Sequence, residues 1–476
     1  MNHNQTFTLI AIIVPVIHLL GIANAAHAIM GARTPQASSA WAIALISFPY
    51  LAIPLYWIFG AQTFEKYGAS LRDAHSRHAD HLQDLLGPIK PFAVRAEGYA
   101  RLLEGLSGWP MTSGNQIDLL VDGAQTFQAI FAAIESAKIC IALEFFIVRD
   151  DELGRELKQR LIRKAKEGVR VYFLCDQIGS WGLSKSYVAD LRAAGIQFSF
   201  FRTSDRSLTG RFRLNFRNHR KIVVVDGRTA LVGGLNVGDE YLGKSARFGH
   251  WRDTHVQIKG PAVLGVQIIF AADWYWMEGQ APNLFWGDPE AAAADVKLLP
   301  LASGPEQRWD VFPLALGGAI QQAKKRLWIA SPYFVPDEGF LQALQLAALR
   351  GVDVRILLPK KPDHMLVYLA SFSYMADLIP CGVKLYRYNA GFLHQKVFLV
   401  DDHLASVGTA NIDNRSFRLN FEVSMLVLDR NFCGQVAKML EDDFQHGEPQ
   451  AADDLKKRSY LFQIGVRAAR LLAPIL

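Results

Sequence analysis

Two sets of four residues recur in this chain with one internal spacing. The first is His219, Lys221, Asp226 and Asn236; the second is His394, Lys396, Asp401 and Asn411. In both, Lys, Asp and Asn stand 2, 7 and 17 positions after His, and the sets lie 175 residues apart. These residue types suit group transfer at an anionic phosphodiester. Two lysines and two asparagines can hold the non-bridging oxygens and stabilise charge at phosphorus. One neutral imidazole can attack phosphorus and form a covalent phosphohistidine. The other, protonated, can donate to the leaving oxygen and later take the proton of the incoming alcohol. The lysines supply the positive charge, so neither a metal nor a cofactor is required. A lone His or Lys beside an apolar strand is usually structural or solvated. The repetition of four residue types at one spacing carries the inference.

Alternation along a strand puts positions i and i+2 on one face, so His219 projects with Lys221 and His394 with Lys396. The apolar runs Ile222–Val225 and Val397–Val400 continue as buried strands. Asp226-Gly227 reads as a hairpin turn with 228–232 returning, which brings Asn236 and Asn411 back near the His/Lys level. Asp226 and Asp401 are counted with the catalytic motifs. Their odd offset from His turns them elsewhere, and a structural role is the stronger expectation.

A larger repeat surrounds the motifs. Strand 139–148, helix 153–167, Gly168 and strand 169–174 are echoed by 327–330, helix 340–349, Gly351 and strand 352–358. Strand, helix, glycine cap and buried strand is a βαβ pattern. The expected fold class is α/β, with two tandem domains related by a pseudo-two-fold axis and preceded by two transmembrane helices. The expected divisions are a membrane anchor at 1–64, a helical linker at 65–110, domains at 111–290 and 291–450, and a basic amphipathic tail at 451–476. The boundary between the domains falls in the Ala/Pro/Gly-rich stretch 281–305.

Of 476 residues, 50% are hydrophobic and 20% charged. That composition fills a large core and excludes a disordered chain. A net charge of +6 suits an anionic partner, although solubility alone would also account for it. Cys140, Cys175, Cys381 and Cys433 form no CxxC pair, so neither zinc nor a disulfide framework is expected. The apolar runs 7–26 and 41–60 contain no Lys, Arg, Asp or Glu and are each long enough to cross a bilayer as a helix. Pro15, Pro49 and Pro54 are tolerable there, and His18 is read as a packing residue. One basic residue, Arg33, lies in the connector, whereas Lys66, Arg72, Arg77, Lys90 and Arg95 follow the second run. That asymmetry puts the catalytic part in the cytoplasm. In the tail, Leu461, Ile464, Ala468, Leu471, Leu472 and Ile475 share a helical face, with Phe462 and Val466 off the pattern. Packing on the protein itself is preferred for it over a membrane-surface role. Arg206, Arg211, Arg213 and Arg217 precede the first motif. Arg213 and Arg217 are candidates for attracting anionic head groups, the plain alternative being a solvated loop. Nucleic acid is not the expected partner, even with Phe212 and Phe216 standing among these arginines.

The duplicated His-x-Lys-x4-Asp motif resembles that of the phospholipase D superfamily, over roughly 136–443. The resemblance implies α-β-α sandwich domains. It also implies a carboxylate downstream of each motif that orients the catalytic histidine. Asp253, 34 positions after His219, and Glu422, 28 after His394, occupy such settings. Glu240 and Arg415, each 21 positions after its histidine, are further flanking candidates. Within the superfamily, the two apolar runs, Arg217-Asn218-His219-Arg220-Lys221, the segment 233–241 and Trp251-Arg252-Asp253-Thr254-His255 are similar to bacterial cardiolipin synthases, over nearly the whole chain. This implies condensation of two phosphatidylglycerol molecules to cardiolipin and glycerol through a phosphatidyl-histidine, at the cytoplasmic face of the bacterial inner membrane. His219 is taken as the nucleophile. A phospholipase D-type hydrolase or membrane nuclease would share the intermediate. A catalytically inert membrane scaffold is disfavoured by two complete motifs. One chain can complete the site, and pairing through the membrane helices would add a homo-oligomer.

Overall fold

The structure is a computed structural model that describes residues 3–31, 35–60, 67–70, 87–202 and 216–473. Ile222–Val225 and Val397–Val400 are buried at every position, as strands covered on both faces must be. Each forms a hairpin with its return strand, Thr229–Gly233 or Leu404–Gly408. On its other side each pairs antiparallel with Cys140–Phe145 or Arg326–Ala330. The latter two each begin a parallel βαβ unit. From a central seam outward, the first half runs Thr112–Val121, Thr254–Lys259, Thr229–Gly233, Ile222–Val225, Cys140–Phe145, Arg170–Asp176 and Gln197–Phe201. The second half runs Val296–Ser303, Asn420–Leu428, Leu404–Gly408, Val397–Val400, Arg326–Ala330, Asp353–Pro359 and Lys384–Tyr388, with Gly447–Pro449 added at its edge. The order is the same position for position. Thr112–Val121 and Val296–Ser303 pair antiparallel, making one continuous sheet. The seam strand Val296–Ser303 lies inside the stretch read from sequence as a boundary.

Helices cover both faces. Ala262–Glu278 and Arg430–Gln445 belong to a single apolar layer that crosses the seam. On the opposite face, Asp122–Ser136 and Glu152–Lys166 cover the first half, and Val311–Gln322 and Glu338–Leu349 the second. The middle residue of each His-x-Lys points into the shared layer. Arg220 pairs with Asp273 on the first of its helices (2.6 Å), and Gln395 donates to Asp443 on the second (2.8 Å).

At the N-terminus, α1 (His3–Gly31) contains Ala11–Gly31, the only span among the described residues long and apolar enough to cross a membrane as one helix. The second apolar run is not one helix. It divides into α2 (Pro35–Ser47) and α3 (Pro49–Phe59), with Phe48 at φ −135° and ψ 57°. Proline suits the first turn of a helix but drives the preceding residue out of helical conformation. The hydrogen bonds carry across the break, from Phe48 N–H to Ala44 O and from Ala52 N–H to Phe48 O. Both segments pack on α1. Gly21 of α1 leaves no room for a side chain against Leu45 of α2, while His27 meets the Tyr56 hydroxyl at 2.6 Å and Trp57 donates to Asn24.

The tail forms the helix Tyr460–Leu471, and its packed face differs from the one read from sequence. Val466 and Ala469 are buried, and Phe462 meets Phe372 edge-on. The predicted face, Leu461, Ile464, Ala468, Leu471 and Leu472, is exposed, and Ile475 lies outside the described residues.

The motif aspartates sit at the hairpin turns, both in left-handed backbone (Asp226 φ 51°, Asp401 φ 49°). Asp226 accepts hydrogen bonds from the N–H groups of Lys138, Ile139 and Cys140 at 2.8 Å. Asp401 does the same for Lys324, Lys325 and Arg326. Burial opposes the charge on Asp401, but these three donors outweigh it and hold its carboxyl below the usual range. A catalytic reading of the two aspartates is therefore corrected: they bind the chain end entering each βαβ unit. Replacing either by Ala strands three donors, an expected cost of about 1–3 kcal/mol. It should lower the thermal midpoint of the solubilised protein; lost activity with unchanged melting would return them to the chemistry.

Candidate active site

Each motif histidine is placed by the opposite half of the chain. Arg217–Asn218 pairs in parallel with Asn420 and Phe421, and His219 N–H donates to Phe421 O at 2.9 Å. Phe392–Leu393 pairs in parallel with Trp251–Arg252, and His394 N–H donates to Arg252 O at 2.8 Å. The residue following each acceptor is a carboxylate. Glu422 therefore meets His219, with both oxygens 2.9–3.0 Å from Nδ1, and Asp253 meets His394 at 2.8 Å from Nδ1. Read by motif, Asp253 would go with His219 and Glu422 with His394; the structure exchanges them.

The carboxylates are themselves held. Glu422 accepts from Thr409 Oγ1 (2.6 Å), Ser416 Oγ (2.9 Å) and Asn420 Nδ2. Asp253 accepts from the Thr254 N–H at 2.8 Å and lies against Gly234, where a Cβ would be 2.1 Å from its Oδ1. Gly234 and Thr409 occupy the same place in the two motifs. One makes room for a short carboxylate beneath its turn, and the other supplies a hydroxyl to a longer one. Lys221 and Lys396 are buried, each donating to the carbonyl of its own motif histidine.

Burial, opposed by Glu422, lowers His219 to about 4, so its imidazole is neutral near pH 7. Burial and then Lys396 lower His394. Burial also brings Lys221 down to about 7 and Lys396 to about 8. For the carboxylates burial acts upward, but Lys396 and His394 hold Asp253 below its ordinary value, and His219 and Lys221 do so for Glu422.

Both histidines, Asn236 and Asn411 line one cavity of about 740 Å³. Asn236 is fixed by the Ile147 N–H and the Tyr241 hydroxyl. The buried Asn411 amide oxygen has no hydrogen-bond partner among the described residues. Arg217, Glu240 and Arg415 line the same cavity. Arg206, Arg211 and Arg213 lie outside the described residues. Asp226 and Asp401 do not reach it.

Residues 130–264 and 316–446 each match a family model described as the cardiolipin synthase, PLD-like domain. The chain is 48% identical over 468 residues to cardiolipin synthase A of Pseudomonas putida strain GB-1, covering 97% of each. It is 46% identical over 474 residues to cardiolipin synthase A of Pseudomonas entomophila strain L48, covering 98% of each. This chain belongs to the cardiolipin synthase family. The solved phosphatidylserine synthase of Haemophilus influenzae Rd KW20 matches 80% of this chain and 100% of its own with a TM-score of 0.63 and 19% identity, a likeness of fold.

For a cardiolipin synthase-family site, the division of labour follows from which ring nitrogen is occupied. Nδ1 of each imidazole faces a carboxylate, which leaves Nε2 of His219 open to the cavity, whereas Lys396 Nζ stands 3.2 Å from Nε2 of His394. Phe146 stands edge-on to His219, and Trp251 and Phe392 pack on His394, confining both rings. Sequence reasoning missed these aromatics and the Thr409 and Ser416 hydroxyls. The one available signal was Thr409 standing where the first motif has Gly234.

Glu422→Gln and Asp253→Asn keep shape but lose the charge behind each imidazole. Each is expected to lower kcat by about 10²–10⁴-fold, with the fold intact by circular dichroism. The buried lysines are expected to set the alkaline limb of the pH profile. Their lowered pKa values mean charge is lost as pH rises through about 7 and 8, so kcat/KM for the native enzyme should fall there. A profile flat to pH 10 would exclude the lysines as the phosphate charge clamp.

Proposed function

We propose that this chain transfers a phosphatidyl group between two phosphatidylglycerol molecules, giving cardiolipin and glycerol. The observation that carries this reading is the pair of carboxylate-backed imidazoles that line one cavity with Asn236 and Asn411, each with a buried lysine bonded to its own carbonyl. His219 Nε2 attacks phosphorus of the first lipid. The bond from phosphorus to the glycerol oxygen breaks, and that oxygen takes the proton of His394. The hydroxyl of a second phosphatidylglycerol then gives its proton to His394 and attacks phosphorus, breaking the His219–phosphorus bond and forming cardiolipin. His219, neutral near pH 7, suits the nucleophile. His394 has the harder task of carrying a proton, which the arriving phosphodiester anion and the Asp253 and Asp363 carboxylates favour. Lys221, Lys396, Asn236 and Asn411 hold the non-bridging oxygens. Arg217, with Arg213 preceding it in sequence, draws the anionic head group.

Both substrates carry acyl chains that are costly to lift from a bilayer, at about 0.8 kcal/mol per methylene. The enzyme therefore works at the membrane. The proposed anchor is a helical hairpin with α1 as one span and the kinked α2–α3 as the other. The hydrogen bonds carried across Phe48 and the exposed Ile43, Ile46, Phe48 and Leu51 support the second span. The basic residues after it favour the cytoplasmic side of the bacterial inner membrane.

Purified enzyme in phosphatidylglycerol vesicles should yield cardiolipin and glycerol by mass spectrometry. Phosphatidic acid as the dominant product would make the chain a hydrolase. His219→Ala should abolish covalent labelling by the lipid. His394→Ala should slow turnover by about 10³-fold or more while the protein stays in the membrane. EDTA should leave both steps unchanged.

A further inference from the structure

The polar cavity accepts head groups, while the acyl chains must stay in the bilayer, so its mouth has to meet the membrane. Two segments stand at equivalent places in the two halves, the second lining that cavity and the first packed behind Phe146 of its wall. One follows the strand Arg170–Asp176, the other the strand Asp353–Pro359. Both lie at the carboxyl ends of parallel strands, where α/β sheets bind ligands.

Each place shows large apolar side chains to solvent. In the first loop, Trp181 is 82% exposed and Ile178 is exposed. In the second, at the start of the helix Met365–Phe372 that follows the loop, Met365 is 58% exposed and Leu366 is exposed. Met365 and Leu366 line the cavity directly. The first loop is fastened to Phe146, which lines the cavity. The Ser180 hydroxyl donates to Phe146 O at 3.1 Å, and Gly179 passes so close that a Cβ would be 2.2 Å from that oxygen. The loop is also rigid: Asp176 accepts from the N–H groups of Ile178 and Gly179, both at 2.9 Å. An exposed tryptophan held on a fixed turn is therefore presented to something outside the molecule.

We infer that Ile178 and Trp181 on one side, and Met365 and Leu366 on the other, form a two-sided apolar rim that seats the cavity mouth in the interface of a bilayer carrying anionic lipid. Tryptophan favours the head-group level of a membrane. The charge around the rim is complementary: Lys185, Arg247 and Lys361 are exposed, and Arg247 also lines the cavity. The helix Met365–Phe372 carries the tail helix on its flank, and the exposed Leu461, Ile464 and Leu471 beside Arg467 extend the same apolar and basic character.

The inference rests on the lipid-transfer reading, and the test separates the two. Full-length protein carrying Ile178→Asp and Trp181→Asp is assayed on long-chain phosphatidylglycerol in vesicles and on a short-chain, monomeric phosphatidylglycerol. The expected result is a loss of tenfold or more on vesicles and unchanged turnover of the soluble substrate. Equal loss on both, or no loss on vesicles, would overturn the rim. Failure of the native enzyme to transfer on either substrate would instead overturn the lipid-transfer reading. As a measurement independent of folding, Leu366→Cys is labelled with an environment-sensitive dye, with the unsubstituted protein as background. Quenching by brominated lipid in the vesicles is expected. Labels shielded from lipid but cross-linking to a second copy or another protein would show that the rim is a protein interface.

Discussion

Two carboxylate–imidazole contacts hold this structure's chemistry together, and both cross from one half of the chain to the other. A buried imidazole with no partner would drift among rotamers and tautomers. Here Glu422 fixes His219 and Asp253 fixes His394. Each contact depends on a two-residue parallel ladder between the halves. Those ladders depend in turn on the seam between Thr112–Val121 and Val296–Ser303. The helix aspartates Asp273 and Asp443 brace the same arrangement from behind, through Arg220 and Gln395. Burial pushes the lysines and histidines toward their uncharged forms, and the same two carboxylates counter that push. Position and electrostatics have one source.

The pseudo-symmetry of the fold does not extend to the reactivity of its two histidines. Glu422 collects three side-chain donors, whereas Asp253 has a backbone N–H and a glycine-cleared space. An imidazole backed by the more heavily bonded carboxylate has less negative charge behind it than one backed by the freer carboxylate. Duplication supplied two similar settings. The difference between Gly234 and Thr409 gives them different electrostatics, as the proposed division into a nucleophile and a proton carrier would require.

Much of the site was legible in sequence because strand geometry is rigid. The offset of 17 brought each Asn to the same cavity as its His, the offset of 2 left each Lys buried against the carbonyl of its His, and the odd offset of 7 turned Asp226 and Asp401 away. The exchange of Glu422 and Asp253 was not legible. It is decided by pairings of two residues each, between segments some 200 and 140 positions apart in the chain, and such short ladders leave no periodic trace. The tail misled for another reason. Its helix is apolar on two sides, and local pattern cannot say which side meets the protein, so Phe462 and Val466 were misread. The second apolar run shows the limit of counting residues: its composition suits one continuous span, whereas Pro49 acts on the backbone of Phe48 and divides it.

The unbroken sheet has a kinetic consequence. Enzymes that close around a substrate usually do so by rotating domains about a flexible joint. Here the two halves share a ladder of main-chain hydrogen bonds and an apolar layer that spans the seam, so a clamshell opening would tear both. The gap between the imidazoles is therefore of constant width. Reactants must therefore enter and leave through the mouth of a cavity whose walls keep their spacing, rather than through a parting of the two halves.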